Sequence, residues 1–431
     1  MNGRTGLFSF VERANVSRGD MCPARVDLFR PFPNLIKKQF LCQLSERPVF
    51  LYNGVMRTGI ATVPLDYGHC PRWLFERMEK LGRAMAMSIV EEFGPEEFLK
   101  RLSDPVWFQS LGCVMGFDWN SSGLTVTTLG ALKAGLFEIQ DQLGVFVCGG
   151  KKESRKTPEE ITAYGISRQL DFAPDLIYAS KMAAKVDSSL VQDGYQIYQH
   201  NFLFTKSGNW TVIQQGMNTE NQTARRYHWL SAVLRPAQDK TNFIEEPHTG
   251  IASQIKVRPL NLTAKESGQN RDVSMGLIKE EPKTVVKNLE LLQTKKSPNL
   301  TEMTLYNKEF HWHPVVQEKF NLKRLEKIVS VINGEAPANF ENLLSLKGVG
   351  PKTIRALSLV AEVIYGAKPS YEDPARYTFS VGGKDGTPFP TDRKTYDKTL
   401  EIMNKGIFRS AVSLREKDEA QRRLASVKID N

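Results

Sequence analysis

No two cysteines of this chain stand close together. The five (Cys22, Cys42, Cys70, Cys113, Cys148) are spread singly over 431 residues. That spacing argues against a disulfide framework and a cysteine zinc site, and it fits a reducing cytoplasm. Histidine is nearly as scarce, with six, so imidazole chemistry rests on very few positions. No apolar run is long enough to span a bilayer, so a membrane role is not expected. The start, MNGRTGLFSFVER, lacks the basic-then-apolar order of a secretory signal. Carboxylates are the minority charge: 58 Lys and Arg against 48 Asp and Glu leave a net charge of +10. That balance suits an anionic partner.

What is present centres on Asn342 to Tyr365, NLLSLKGVGPKTIRALSLVAEVIY. Leu343, Leu344 and Leu346 close one apolar helix. Gly348-Val349-Gly350 makes a hairpin whose bare backbone lets a phosphate reach the main-chain N–H groups. Pro351 opens a second helix, whose N-terminus favours an anion. Ile354, Leu357, Val360, Ala361 and Ile364 recur at helical spacing and are expected to face a core. Lys352, Thr353 and Arg355 are placed near the backbone charge. This pattern resembles the helix-hairpin-helix of DNA-binding proteins and predicts sequence-independent phosphate contact.

The rest of the chain divides by texture. Residues 1–55 have little periodicity and read as an N-terminal extension, with translation starting at Met56 as one possibility. Residues 56–165 read as mostly helical, with PRWLFERMEKLGRAMAMSIVEEFG placing Trp73, Leu74, Met78, Leu81 and Met85 on one stripe. GFDWNSSGLTVTT (Gly116 to Thr128) reads as loop, and VFVCGG as a buried strand. The loop GGKKESRKTPEE gathers Lys151, Lys152, Arg155 and Lys156 and offers a second phosphate contact. Residues 166–300 form an α+β block with a β-hairpin, YQIYQHNFLF and NWTVIQQGM, turning at KSGN; TNFIEEPHTG reads as a further strand. Residues 301–370 hold the helix-hairpin-helix, and 371–431 a Gly/Pro-rich loop and a charged helix. The fold class is therefore α+β: a mixed helical and β-hairpin core with a C-terminal helix-hairpin-helix domain.

Chemistry has one candidate home. Asp187, Asp193, His200, His228, Glu246 and His248 all fall in the central block, and carboxylates with imidazoles are ligands for Mg²⁺ or Mn²⁺. A metal so held can activate water against a phosphodiester. In that reading Asp187, Asp193, His200, Glu246 and His248 act in catalysis, and Arg225 and Arg226 hold the phosphate bidentately. His311 and His313 form a weaker pair. Amide-rich Gln214 to Asn218 either lines a site or closes a hairpin. No diagnostic metal-ligand spacing is present.

Nine runs, among them GPEEFLKRLSDPVWFQSLGCVMGFDWNSSG, GGKKESRKTPEEI, VDSSLVQDGY, EEPHTGI and LKGVGPKTIRALSLVAEVIYG, resemble in order the domain-of-unknown-function family 763 of archaea and bacteria. The likeness runs from about Met56 to the Thr395 region. It departs from the family at Asp66, His69 and Gln199. The family name supplies no reaction. DNA glycosylases also carry a helix-hairpin-helix; against them, Lys352 fits but Ser370 stands where their Asp is expected, with Glu372 and Asp373 later. The expectation is a nucleic-acid-binding protein, with DNA before RNA as partner, acting in repair or recombination as a metal-dependent nuclease. The alternative is a non-catalytic binding scaffold.

Overall fold

The computed structural model describes residues 70–117, 122–151, 156–231, 243–253, 255–293, 320–375, 393–410 and 412–426, with 393–400 described by backbone alone. The expectations for residues 1–55, for Lys152 and Arg155, and for the His311/His313 pair lie outside these residues. Among the described residues no helix is long and apolar enough to cross a membrane.

The chain is α+β. Helices α1 (Arg72–Phe93), α2 (Pro95–Ser103), α3 (Pro105–Val114), α4 (Gly123–Leu136) and the short α5 (Gln140–Leu143) lead into β1 (Val145–Gly150). After α6 (Thr157–Arg168) and α7 (Ala173–Ser189) come β2 (Val191–Gln192), β3 (Gln196–Thr205), β4 (Trp210–Asn218), β5 (Thr223–Leu230), β6 (His248–Ser253) and β7 (Leu260–Asn261). Then follow α8 (Gly268–Leu277), α9 (Pro282–Gln293), α10 (Leu322–Glu335), α11 (Phe340–Ser345), α12 (Pro351–Tyr365), α13 (Arg393–Arg409) and α14 (Leu414–Ser426). Start signals in the sequence act as expected. Proline opens α2, α3 and α12, and Asp104 caps α3 by accepting from the N–H groups of Val106 and Trp107 at 2.8 and 3.2 Å.

β1, β3, β4, β5 and β6 form one antiparallel sheet in the order β1-β3-β4-β5-β6. Alternation along each strand sends side chains to opposite faces. Val145, Val147, Leu203, Ile213 and Leu230 pack with α1–α4, α13 and α14. Phe146, Cys148, Phe202, Phe204, Val212 and Trp229 pack with α6–α12. The sheet is therefore covered on both sides, and every residue of β5 is buried. This settles the surroundings of the two arginines and the histidine of TARRYHWL.

Four details differ from the sequence reading. GLTVTT opens α4, because Leu124, Thr125 and Thr128 at helical spacing are buried against the core. Trp73 is 59% exposed, one residue off the Leu74-Met78-Leu81-Met85 stripe. Of residues 243–250, the described part of TNFIEEPHTG, only the last three belong to a strand, β6, since Glu246 turns the chain with φ +44°. Ile364 sits at the end of α12, 37% exposed.

Candidate functional site

The central block splits between the two faces of the sheet. On the α7 side the Asp187 carboxylate is wholly buried. Its Oδ1 accepts from His248 Nε2 at 2.5 Å, and its Oδ2 from Trp229 Nε1 at 2.9 Å and from the Gln214 amide. The other Gln214 N–H goes to Ala183 O at 3.0 Å. With both amide protons spent, Gln214 Oε1 accepts from His200 Nδ1 at 2.9 Å, which fixes the His200 tautomer. His200 Nε2 then accepts from the Ser180 hydroxyl, also at 2.9 Å. Asp187, His200 and His248 thus meet in one hydrogen-bonded chain, Ser180–His200–Gln214–Asp187–His248.

Asp193 belongs to a separate cluster and shares no hydrogen-bond donor with Asp187. Its Oδ2 accepts from Arg225 Nη1 at 2.8 Å and from the Tyr227 hydroxyl at 2.7 Å; its Oδ1 takes the Tyr195 N–H at 3.0 Å. Arg225 grips Asp373 with both terminal nitrogens, at 3.0 and 2.8 Å, and reaches Ser253 Oγ and Ile255 O with its remaining N–H groups. All five guanidinium protons are used. Burial opposes the Arg225 charge, but Asp193 and Asp373 outweigh it and hold the guanidinium above its ordinary pKa. Burial also pushes the Asp193 carboxyl upward, against the pull of Arg225 and Tyr227. Asp373, three residues past the Ser370 position where a glycosylase would need its Asp, is a structural partner in this arrangement.

Arg226 and His228 project from the opposite face. Arg226 Nε donates to His228 Nε2 at 2.8 Å, so His228 Nδ1 donates to Leu102 O at 3.0 Å. Arg226 also reaches Gln109 Oε1 at 3.0 Å and lies 4.7 Å over the Phe108 ring. Burial pushes its guanidinium down to about 9. The convergence expected of six metal ligands and two phosphate-holding arginines therefore does not form. The sheet stands between His228 and Asp187, Glu246 is exposed, and both arginines are spent inside the protein. Among the described residues no three His, Cys, Asp or Glu side chains come together as a metal site. Trp229, Tyr227 and Ser180 join these networks unannounced by any motif. The one signal for them is parity: Trp229 and Tyr227 share a strand face with Arg225, and Gln214 is paired with Tyr227.

Burial leaves His200 with a pKa below 6.5, against the opposing pull of Gln214 and Asp187; burial and Arg226 take His228 well below it. Both rings stay neutral in the fold while the unfolded chain protonates near 6.5, so the unfolded state gains protons first as pH falls. Stability is therefore expected to be full above pH 6.5 and to fall below it, by up to about 1.4 kcal/mol per pH unit for each ring. Urea unfolding from pH 7.5 to 5 measures this, and His200→Gln should flatten the dependence.

The second candidate is the hairpin. Leu343, Leu344 and Val349 anchor it, while Lys347, Gly348, Pro351 and Lys352 are exposed. Thr353 is buried, and Arg355 Nε is held by the Gln192 side-chain oxygen. Gly348 has φ +92°, a conformation that favours glycine. Gly350, the N-cap of α12, is different: at φ −146° and ψ −173° any residue fits, and a side chain there would meet nothing within 4 Å. Lys151 at the other basic loop lies 5.6 Å over the Tyr198 ring.

With this geometry in hand, comparison with protein families matches the chain to the model described as Protein of unknown function (DUF763), over residues 59–391. The chain belongs to the DUF763 family. No curated protein and no solved structure matches it. The DUF763 match takes in the whole sheet and both helices of the hairpin; α13 and α14 lie beyond it.

Proposed function

We propose that this DUF763 protein binds nucleic acid through backbone phosphates at the Lys347–Lys352 hairpin, and that the central polar networks hold the fold rather than cut the bound strand. One observation carries the reading: neither packing nor backbone conformation accounts for glycine at position 350. A residue left bare at a helix N-terminus, between exposed Lys347 and Lys352, suits a ligand that must approach the main chain closely. The net charge of +10 agrees with an anionic partner. Binding is favoured over metal-dependent cleavage because Asp187, His200 and His248 already serve one another, and Arg225 and Arg226 face inward.

Gly350→Val is the direct test. It is expected to leave unfolding free energy within about 0.5 kcal/mol of the parent, as for an open surface position. It should weaken binding of short DNA and RNA duplexes about tenfold, near 1.4 kcal/mol, for every sequence alike. Fluorescence anisotropy with several unrelated sequences reads this out. A loss limited to one sequence would argue for base reading, and unchanged binding would remove the hairpin from the interface.

A further inference from the structure

The hairpin does not hang from its own helices alone. Three side chains from the α7–β2 segment reach it, and they are spaced seven residues apart: Tyr178, Lys185 and Gln192. Tyr178 and Lys185, two turns apart, share a face of α7. The Tyr178 hydroxyl donates to Glu341 Oε1 on α11 at 2.7 Å. Lys185 Nζ donates to Leu346 O, where the hairpin begins, at 2.7 Å. Gln192 Nε2 donates to Pro351 O, where α12 begins, at 3.0 Å, and its oxygen accepts from Arg355 Nε. The five residues Leu346 to Gly350 are thus tied at both ends to the segment that also carries Asp187 and Ser180.

Lys185 is an unusual choice for a surface tie. It is half-buried, its charge lies in no ion pair among the described residues, and burial lowers its pKa. A solvated lysine carries no such penalty, so the bond to Leu346 O has to offset it. Gln192 is committed more fully, since its amide also reaches Ser189 O at 2.8 Å. Both ties end on main-chain carbonyls, so they set the path of the backbone and not the chemistry of a particular side chain.

We infer that Lys185 and Gln192 are positioning residues for the hairpin: they hold Leu346 O and Pro351 O so that the intervening N–H groups are presented in one fixed arrangement. For its effect on binding this rests on the phosphate reading above. The benefit is preorganisation, since a hairpin already ordered loses less entropy when it engages a ligand.

The experiment compares Lys185→Met, Gln192→Ala and Lys185→Arg in the full chain. Hydrogen exchange at the amides of Val349 and Ile354, which donate to Leu346 O and Gly350 O, is expected to quicken about tenfold in Lys185→Met and Gln192→Ala through local opening, with core amides unmoved. Lys185→Arg keeps a donor and should restore parental exchange. Affinity for a short DNA duplex should fall about tenfold in the first two variants with the slope of log K against log salt unchanged, because no phosphate contact is removed. Unchanged hairpin exchange overturns the inference. So does a salt slope reduced by about 0.9 in Lys185→Met with Gln192→Ala at parental affinity, which would make Lys185 a direct phosphate contact. Absence of duplex binding by the parent protein would instead sink the phosphate reading, and the exchange rates would still decide the positioning claim.

Discussion

Arg225→Met is expected to destabilise the protein by about 3–5 kcal/mol, the range for removing one partner of a buried ion pair. The guanidinium stands between two carboxylates, Asp193 at 2.8 Å and Asp373 at 2.8 Å, with all three side chains almost fully buried. Removing it leaves two carboxyl groups facing each other in the interior without a cation. Asp373 also accepts from the N–H groups of Val257 and Ala375, at 2.7 and 2.9 Å. The loss therefore frees the strap that runs from the end of α12 back to the sheet. Arg225→Lys should recover part of the stability, because an ammonium keeps the charge but cannot form the two-pronged bond to Asp373. Urea denaturation followed by circular dichroism measures both. Were Arg225 a phosphate-holding side chain at the surface, Arg225→Met would leave the midpoint nearly unmoved and weaken only ligand binding.

Asp187→Ala has an expected cost of similar size, about 3–5 kcal/mol. It strips the acceptor from three buried donors, and each unsatisfied donor costs about 1–3 kcal/mol, with the sum reduced because the groups relax together. The indole N–H of Trp229 is one of them, 2.9 Å from Oδ2. Trp229 fluorescence should accordingly shift in the folded variant, alongside the drop in urea midpoint. Asp187→Asn keeps the shape but puts an N–H₂ group where one carboxylate oxygen accepted. It should fall between parent and Ala. A metal-ligand role predicts the reverse pattern: full stability in both variants and an effect of added Mn²⁺ on the parent alone.

The sequence made the helices legible where caps and periodicity agree, as in α1, α2, α10 and the α11–α12 pair. The β3–β4 hairpin was legible from alternation and from its KSGN turn. The site was less so, and β5 shows why. RRYH reads as a cluster of surface cations and a ligand, but alternation places Arg225 and Tyr227 on one face and Arg226 and His228 on the other. Only the covering of both faces turns those side chains into interior groups. That covering comes from helices far away in the chain, from α1 to α14. Gln192 and Lys185 were hidden for the same reason. Nothing local in KVDSSLVQDG announces that it will meet a hairpin about 160 residues later, the separations being 161 and 159. Asp187 and His248, by contrast, are the two of the six expected metal ligands that hydrogen-bond each other directly, and their partners explain why a carboxylate could be buried there.

The most direct measurement incubates end-labelled single- and double-stranded DNA and RNA with the protein, with and without Mg²⁺ or Mn²⁺, and runs each sample on a native and a denaturing gel. The account predicts a shifted band that Gly350→Val weakens for every sequence, with the strands intact under all conditions. Metal-dependent cleavage that disappears in folded Asp187→Asn would contradict it and return the central block to catalysis.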